Sequence, residues 1–282
     1  MRTSCLFLPV IPLLLALLCT GQQRDTGYTK ITASINWDTA NSRKARINAI
    51  SNDVFKPSWY KGKRGQGIRF RLLSPPVTEK DTRYPLVLVL HSSGGIGADN
   101  AGQLEVMAKF WAQPDIQSRY PAFVLAPQFA ERSANYTNVP GIPVLVSQPS
   151  PALGKVLELI DSLKKVLPVD DRRIYVMGFS MGASGVINCI QLRKGFFAAG
   201  VAISGIPAFY NLPALVATPL WIVHGNTDPE NQFSSDAFLY SRLAARGHRH
   251  LLFWEVDRLE HRIYPELYSS DAIPKWLFKF HH

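Results

Sequence analysis

Cysteine is scarce in this 282-residue sequence, which contains three. Cys5 and Cys19 lie close to the N-terminus, so that Cys189 alone belongs to the bulk of the chain. Its apolar neighbours at helical spacing predict a buried small side chain. This composition argues against a disulfide-stabilised fold and against a Cys/His metal cluster. We therefore expect no disulfide, no metal ion and no other cofactor.

Acidic residues are also in the minority, with 21 Asp and Glu against 31 Lys and Arg, which gives a net charge of +10. A basic protein can bind nucleic acid or an anionic surface. The basic residues are nevertheless spread along the chain, with small clusters at 61–64 and 246–250. No basic motif interleaved with aromatic residues is present. We interpret the charge as a solvated surface and predict no nucleic-acid partner.

The N-terminus carries an apolar run over residues 6–18, preceded by Arg2. This run is too short to span a membrane comfortably, and it has the features of an export signal. We interpret residues 1–21 as a signal peptide cleaved after Gly21, rather than as the buried N-terminus of a cytoplasmic protein. Lipid attachment at Cys19 is the alternative, and it is the one membrane contact that the sequence suggests. Both readings predict an exported protein.

Regular patterning begins near Gly67 and continues to the C-terminus. The run 84–91 is apolar at nearly every position, which is typical of a strand buried on both faces of a parallel sheet. We predict strands over 68–73, 84–91, 122–128, 173–178, 197–203, 219–224 and 250–256. We predict helices over 100–111, 153–166, 231–245 and 271–280, a further helix from Ser180 to about residue 192, and a loop over 129–150.

Strands and helices therefore alternate over residues 67–282. This alternation predicts one α/β domain, with a mainly parallel sheet and helices on both of its faces. Residues 22–66 are polar and weakly periodic. We interpret them as an N-terminal extension, part of it a linker and part of it a candidate edge strand.

A glycine-serine-glycine pattern, Gly178-Phe179-Ser180-Met181-Gly182, follows the predicted strand 173–178. G-x-S-x-G between a strand and a helix is the pattern of a nucleophile elbow, in which a sharp turn holds the serine hydroxyl clear of the sheet edge. Bulkier residues at the two glycine positions would collide with the turn. Ser180 is our candidate nucleophile. The alternative is a Gly/Ser-rich turn without chemistry.

A serine nucleophile needs a base, and the base needs a carboxylate that orients it. In a parallel sheet such groups gather beyond the carboxyl ends of the strands. Asp228 lies four residues past the strand 219–224 and is our candidate acid, although it could instead cap the next helix. Glu230 lies deeper in the sequence towards that helix, and Asp257, at the end of the final strand, is a rival.

His261 is our candidate base because it follows the final strand by five residues. The other six histidines precede that strand, lie at the C-terminus, or end earlier strands where we expect structural roles: His248, His250, His281, His282, His91 and His224. An ordinary surface position is the alternative for His261. Two backbone N–H groups would complete the site as an oxyanion hole. We assign them to Met181 and Ser93, with Ser92 as the second choice for the latter.

The order Ser180, Asp228, His261 is that of the α/β-hydrolase superfamily. The chain resembles, more narrowly, secreted esterases of the dienelactone-hydrolase, prolyl-oligopeptidase-like and polyhydroxybutyrate-depolymerase or feruloyl-esterase type. The residues that carry the resemblance are 90–95 with Asp99 and Asn100, 126–128, 173–183, 224–228 and His261. The resemblance implies an α/β-hydrolase fold without a large lid domain. It also implies hydrolysis of carboxylic esters, on small molecules or linked to polysaccharides, through an acyl-enzyme.

Two positions depart from the family pattern. Ser92 stands where glycine is usual, and its side chain would crowd the oxyanion loop or lend it a hydroxyl. Glu260 stands where glycine usually precedes the histidine, and a carboxylate there would raise the pKa of His261 or compete with Asp228. We expect residues 129–150 and the aromatic residues of 22–66 to form walls of the substrate pocket.

Two other functions remain open on the sequence. One is a serine peptidase of the prolyl-oligopeptidase type, although that class normally carries a propeller domain for which 282 residues leave no room. The other is a non-catalytic binding module that retains the hydrolase scaffold.

Overall fold

The structure, a computed structural model, describes residues 27–62, 67–76 and 79–282. The strands are Gly27–Ile31 (β1), Lys56–Tyr60 (β2), Ile68–Leu73 (β3), Tyr84–Leu90 (β4), Phe123–Gln128 (β5), Ala134–Thr137 (β6), Val146–Pro149 (β7), Val169–Phe179 (β8), Ala199–Ile203 (β9), Leu220–Gly225 (β10) and Leu251–Val256 (β11). The helices are Trp37–Asn48 (α1), Val106–Phe110 (α2), Pro114–Arg119 (α3), Pro151–Val166 (α4), Met181–Leu192 (α5), Leu212–Val216 (α6), Phe233–Ala244 (α7), Glu266–Ser269 (α8) and Ala272–Leu277 (α9).

Nine of these strands form one sheet in the order β1-β11-β10-β9-β8-β4-β5-β3-β2. Neighbouring strands are parallel from β1 to β5 in this order. At the β2 edge, β3 pairs antiparallel with β5 and β2 pairs antiparallel with β3. Leu86, Leu88 and Leu90 of β4 join one apolar cluster, whereas Val87 and Val89 join a second. Successive side chains of a strand point to opposite faces, so the sheet is covered on both sides. The predicted fold class is confirmed.

The N-terminal stretch contributes to both edges of this sheet. β1 pairs with β11 at one edge, and β2 pairs with β3 at the other. Between them in the chain, α1 begins at Trp37 and is capped by Asn36, whose side-chain oxygen accepts a 3.0 Å hydrogen bond from the Thr39 amide. The sequence indicated one candidate edge strand and a linker here, and it missed the helix. Only Ala40 and Ile47 of α1 are buried, which leaves no clear apolar period to recognise.

The helix predicted over 100–111 is wrong in its first half, because α2 begins at Val106. Asn100 has φ 55°, outside the helical region, and its amide donates to the Gln128 side chain at 2.6 Å. The Asp99 carboxylate accepts hydrogen bonds from the amides of Ala101 and Gly102. Short polar side chains compete with the helix for backbone groups in this way.

The predicted loop over 129–150 is also partly wrong, since it contains β6 and β7. These two short strands pair antiparallel in a small separate sheet. Ser147 fixes this sheet to the rest of the molecule, because its amide donates to Pro207 O at 2.8 Å and its hydroxyl accepts from Asn188 of α5 at 2.8 Å. Strands of four residues are too short to show a clear alternation in the sequence.

The predicted signal peptide over 1–21, its cleavage site and the alternative lipid site at Cys19 lie outside the described residues. Export therefore stays a prediction. Within the described ranges, every helix is too short or too polar to cross a bilayer. Cys189 is buried as predicted, and burial raises the pKa of its thiol to about 12.

Candidate active site

Ser180 occupies the sharp turn between β8 and α5. Its backbone has φ 57° and ψ −122°, a conformation that costs a side-chain-bearing residue roughly 1–3 kcal/mol. The Ser180 amide donates to Ile203 O at 2.9 Å, which ties the turn to the end of β9. α5 starts at the next residue, so the serine side chain lies beside the N-terminal turn of this helix.

The two glycines of the turn are required by close backbone contacts. A Cβ on Gly182 would lie 2.1 Å from the Leu90 carbonyl oxygen at the end of β4. A Cβ on Gly178 would lie 2.5 Å from the carbonyl carbon of Gly182. Because both positions lack a side chain, α5 begins directly against the end of β4. Steric collision is also the reason that we expected for glycine at both positions.

The structure brings the three predicted side chains together above one rim of the sheet. The Ser180 Oγ lies 2.8 Å from Nε2 of His261, and Nδ1 of His261 lies 2.7 Å from Oδ2 of Asp228. The His261 side chain is 9% exposed and that of Asp228 is fully buried. The Phe179 ring packs against the imidazole, with ring centroids 4.9 Å apart.

A close contact between two loops positions His261. Gly225 ends β10, and a Cβ there would lie 2.0 Å from the carbonyl oxygen of Leu259. That carbonyl also accepts a 3.3 Å hydrogen bond from the Thr227 amide. The loop that carries His261 therefore rests directly on the loop that carries Asp228. Glycine at 225 permits this approach.

Asp228 is held by both of its carboxylate oxygens. Oδ1 accepts the amides of Glu230 and Asn231, each at 2.9 Å, and Oδ2 faces His261. Burial by itself would raise the pKa of Asp228. Hydrogen bonds from His224, His261 and the Asn231 backbone outweigh burial and hold the pKa of this carboxyl well below its ordinary value. Asp228 does not cap α7, because the N-cap of that helix is Gln232 and it has no side-chain cap. Oδ1 instead binds the amides of the turn before α7, which leaves Oδ2 for the histidine.

His224 is the contact that the sequence interpretation missed. We expected a structural residue, and its Nδ1 does hydrogen-bond to Asp236 of α7 at 2.8 Å. Its Nε2 lies 2.8 Å from Asn231 O and also 3.3 Å from Oδ2 of Asp228. Burial would lower the pKa of His224, but the hydrogen bonds to both carboxylates outweigh it and raise the pKa to about 9. The one sequence signal was its spacing of four residues from Asp228.

The rival acid Asp257 contacts other residues. Asp257 accepts a hydrogen bond from Asn226 at 3.1 Å and pairs with Arg258 at 3.2 Å. The expected contact between Glu260 and His261 is not found among the described residues. Instead Oε2 of Glu230, a largely exposed side chain, lies 3.6 Å from Nε2 of His261. The second carboxylate near the imidazole is therefore Glu230.

The loop after β4 is braced by Glu105, a residue that the sequence did not single out. The Ser92 amide donates to Oε2 of Glu105 at 3.0 Å, and the Ser92 hydroxyl donates to Oε1 at 2.6 Å. The hydroxyl also accepts the amide of Gly94 at 3.1 Å. Ser92 therefore lends its hydroxyl to the loop, and its own amide is already engaged.

Two other amides are the predicted oxyanion donors. Ser93 opens a short 3-10 turn, Ser93–Gly95, and Met181 opens α5. N–H groups at the start of a helix have no acceptor within it. Because the Ser92 amide is engaged by Glu105, Ser93 remains the better choice on this loop. The role of both amides stays a prediction.

His91 has the structural role that we expected of it. Its Nε2 accepts the amide of Phe129 at 3.0 Å, so that Nδ1 carries the proton and donates to Ser92 O at 2.6 Å. This ring therefore joins the loop after β4 to the loop after β5. Burial lowers the pKa of His91, which favours the neutral form that these two bonds require.

Two cavities flank these residues, and neither includes Ser180 or His261 in its lining. The nearer one, of about 340 Å³, is lined by Ser92, Glu105 and Phe179 together with Lys109. The other, of about 470 Å³, lies beside β5 and β3. Both stretches that we expected to form pocket walls, 129–150 and the aromatic residues of 22–66, contribute to the larger cavity. Across the described ranges, no cluster of His, Cys, Asp or Glu is arranged to hold a metal ion.

Comparison with known proteins gives structural neighbours only. No protein-family model matches the sequence, and no curated protein matches it either. A thermostable esterase superposes with a TM-score of 0.74 and 29% identity over 82% of this chain, which spans 64% of the length of that esterase.

Two more distant neighbours share the fold at low identity. A ferulic acid esterase from Anaeromyces mucronatus superposes with a TM-score of 0.54 and 13% identity, over 76% of this chain and 86% of that one. A puromycin-hydrolysing peptidase from Mycobacterium tuberculosis superposes with a TM-score of 0.61 and 14% identity, over 80% of this chain and 39% of that one. Together with the strand order and the helices on both faces, the superposition on the thermostable esterase and on these two neighbours shows that the chain has the α/β-hydrolase fold.

Proposed function

We propose that this protein is a serine hydrolase that cleaves carboxylic esters through an acyl-enzyme. The observation that carries the proposal is the continuous hydrogen-bonded series from Ser180 through His261 to Asp228, with links of 2.8 and 2.7 Å. The structural neighbours, which include two esterases, support a hydrolase.

In the proposed reaction, His261 accepts the proton of Ser180 at Nε2 as the oxygen attacks the ester carbonyl. Asp228 accepts a hydrogen bond from the Nδ1–H of His261. This bond leaves Nε2 unprotonated and able to act as the base, and the charge of Asp228 stabilises the imidazolium that forms. The amides of Met181 and Ser93 stabilise the negative oxygen of the tetrahedral intermediate. His261 then protonates the leaving alcohol.

Water completes the cycle. His261 removes a proton from a water molecule that attacks the acyl-enzyme, and it returns a proton to Ser180 as the acid product leaves. No group beyond the side chains and amides already named is needed for these proton transfers.

Replacing the nucleophile is the direct test. Ser180→Ala removes the attacking oxygen, and we expect turnover of p-nitrophenyl acetate to fall by about a thousandfold or more while the fold is retained. Ser241→Ala is the matched control, because the hydroxyl of this exposed serine of α7 donates a hydrogen bond to Phe238 O in the same helix, far along the chain from Ser180. Ester turnover that is equal in the Ser180→Ala variant and the unmodified protein would refute the proposal.

A serine peptidase is the second candidate, since one structural neighbour is a peptidase. This chain spans 39% of that neighbour, so the comparison concerns the shared domain alone. Matched ester and anilide substrates distinguish the two functions. We expect the p-nitrophenyl ester to be cleaved and the corresponding p-nitroanilide to be left intact. A binding module would cleave neither substrate.

A further inference from the structure

The larger cavity opens at the same rim of the sheet as Ser180. Its lining includes Phe129 and Arg132, which follow the end of β5, and Arg69 near the start of β3. β3 runs antiparallel to β5, and Arg69 pairs with Gln128, so this end of β3 reaches the rim where β5 ends. β5, β4 and β8 are parallel, and Ser180 follows the last of them at that rim.

A short stretch of chain connects this cavity to the candidate active site. Gly97 lines the cavity and donates its amide to Phe129 O at 3.0 Å. Ser93, the predicted oxyanion donor, is four residues earlier, and four residues span at most about 14 Å. A group bound in the cavity is thus within reach of an extended substrate whose ester lies at Ser180. The acyl group of a short ester would not reach it.

The cavity is positively charged. Its lining carries Arg69, Arg132 and Lys155 against one acid, Glu131. In the described part of the chain neither arginine forms a salt bridge. Arg69 instead lies over the Trp59 ring at 5.4 Å, and Arg132 lies over the Tyr136 ring at 4.9 Å.

These ring contacts prepare the two guanidinium groups for a ligand. A guanidinium that packs against an aromatic ring loses conformational freedom but keeps N–H donors along its edge. Such donors match the two oxygens of a carboxylate. Arg132 uses its Nε for Ala134 O at 3.2 Å, which leaves its terminal amino groups for a ligand.

We propose that this cavity is a subsite for a carboxylate-bearing unit of an extended substrate, so that acylated acidic oligosaccharides are the substrates of this protein. The proposal rests on the ester hydrolysis proposed above. An acidic oligosaccharide can carry carboxylates and hydroxyl-linked esters on one chain, whereas a peptide of the common amino acids carries its carboxylates without such esters. The subsite binds the carboxylate of one sugar unit while the ester of a nearby unit lies at Ser180.

Binding is measured first, on a protein that cannot turn over its ligand. We expect calorimetric titration of the Ser180→Ala variant to give about a hundredfold tighter binding of trigalacturonic acid than of the neutral trimer cellotriose, because a charge-assisted hydrogen bond from each of the two arginines contributes roughly tenfold. The difference should shrink as salt is added. Arg69→Gln and Arg132→Gln, each added to this variant, should weaken binding of the acidic trimer about tenfold.

Arg246→Gln is the matched control. This exposed arginine follows α7 and precedes β11, so it lies at the opposite rim of the sheet. Its replacement removes the same charge and should leave both affinities unchanged. Equal affinity for the acidic and neutral trimers, or equal weakening by all three arginine substitutions, would overturn the subsite.

Turnover of p-nitrophenyl acetate by the unmodified protein separates the two proposals. If this ester is cleaved and the trimers bind equally, the subsite is wrong and ester hydrolysis stands. If the acidic trimer binds selectively and no ester is cleaved, the binding site stands and ester hydrolysis is wrong. If both hold, the unmodified protein should release acetate from acetylated galacturonan oligosaccharides faster than from acetylated xylan oligosaccharides.

Discussion

At the scale of single residues, Asp228 connects two histidines of different character. His261 meets it at the surface of the site, while His224 lies fully buried between Asp228 and Asp236. A buried imidazolium so placed favours the charged form of Asp228. His224 thereby helps to hold Asp228 as the anion that the proposed mechanism requires, and it acts as a positioning residue.

The raised pKa of His224 predicts how stability depends on pH. Its pKa is about 9 in the fold, above the ordinary value of 6.5, so folding favours its protonated form. The resulting stabilisation, roughly 3 kcal/mol, is complete below pH 6.5 and is lost as the pH rises through 9. Urea titrations between pH 6 and pH 10 should show this decrease. His224→Gln cannot carry the charge. An equal decrease in its free energy of unfolding over this pH range would contradict the assignment to His224.

Glu105 offers a second test at this scale. Removing its carboxylate by Glu105→Ala releases the Ser92 amide and hydroxyl, so the loop that presents Ser93 loses two hydrogen bonds. We expect kcat for p-nitrophenyl acetate to fall about tenfold with a smaller change in KM, because displaced oxyanion donors weaken binding of the transition state.

A double-mutant cycle with Ser92→Ala is the control for this interpretation. If Glu105 acts through Ser92, the losses from the two substitutions will not add. Additive losses would assign Glu105 a separate role.

At the scale of elements, the sequence predicted most of what is buried. β4, β9 and β10 are buried at every position, and their apolar runs were recognised. The elements that it missed include α1, α3, α6, α8, β6 and β7. These elements are short or mostly polar, and positions such as that of β7 depend on tertiary contacts, here the contact of Ser147 with α5. Local patterns do not contain such contacts.

The contact between α5 and β4 predicts how stability depends on the residue at position 182, in the turn that carries Ser180. Gly182→Ala would place a Cβ 2.1 Å from the Leu90 carbonyl oxygen. Both sides of this contact are backbone, so relieving the clash requires a backbone shift that costs free energy. We expect the free energy of unfolding to fall by about 3 kcal/mol or more. The measurement is a urea unfolding curve.

Gly154→Ala is the matched control within α4. A Cβ at this position meets nothing within 4 Å, so the same substitution should stabilise the protein by roughly 0.5–1 kcal/mol. Equal destabilisation by both substitutions would show that the contact with β4 is not the cause.

At the scale of the whole molecule, the candidate site is assembled from loops that leave several strands at one rim. The rule that such loops converge was enough to predict from the sequence that Ser180, Asp228 and His261 would meet. It did not predict the contacts that His224, Glu105 and Glu230 make with the site. Those contacts depend on how side chains pack in three dimensions, which the order of elements along the chain does not specify.

Covalent labelling tests the central claim most directly. A fluorophosphonate probe reacts with a serine that an adjacent base activates. Peptide mass spectrometry of the labelled protein should find one adduct, on the peptide that contains Ser180, and His261→Ala should abolish it. An unlabelled protein, or an adduct that persists without His261, would contradict the account.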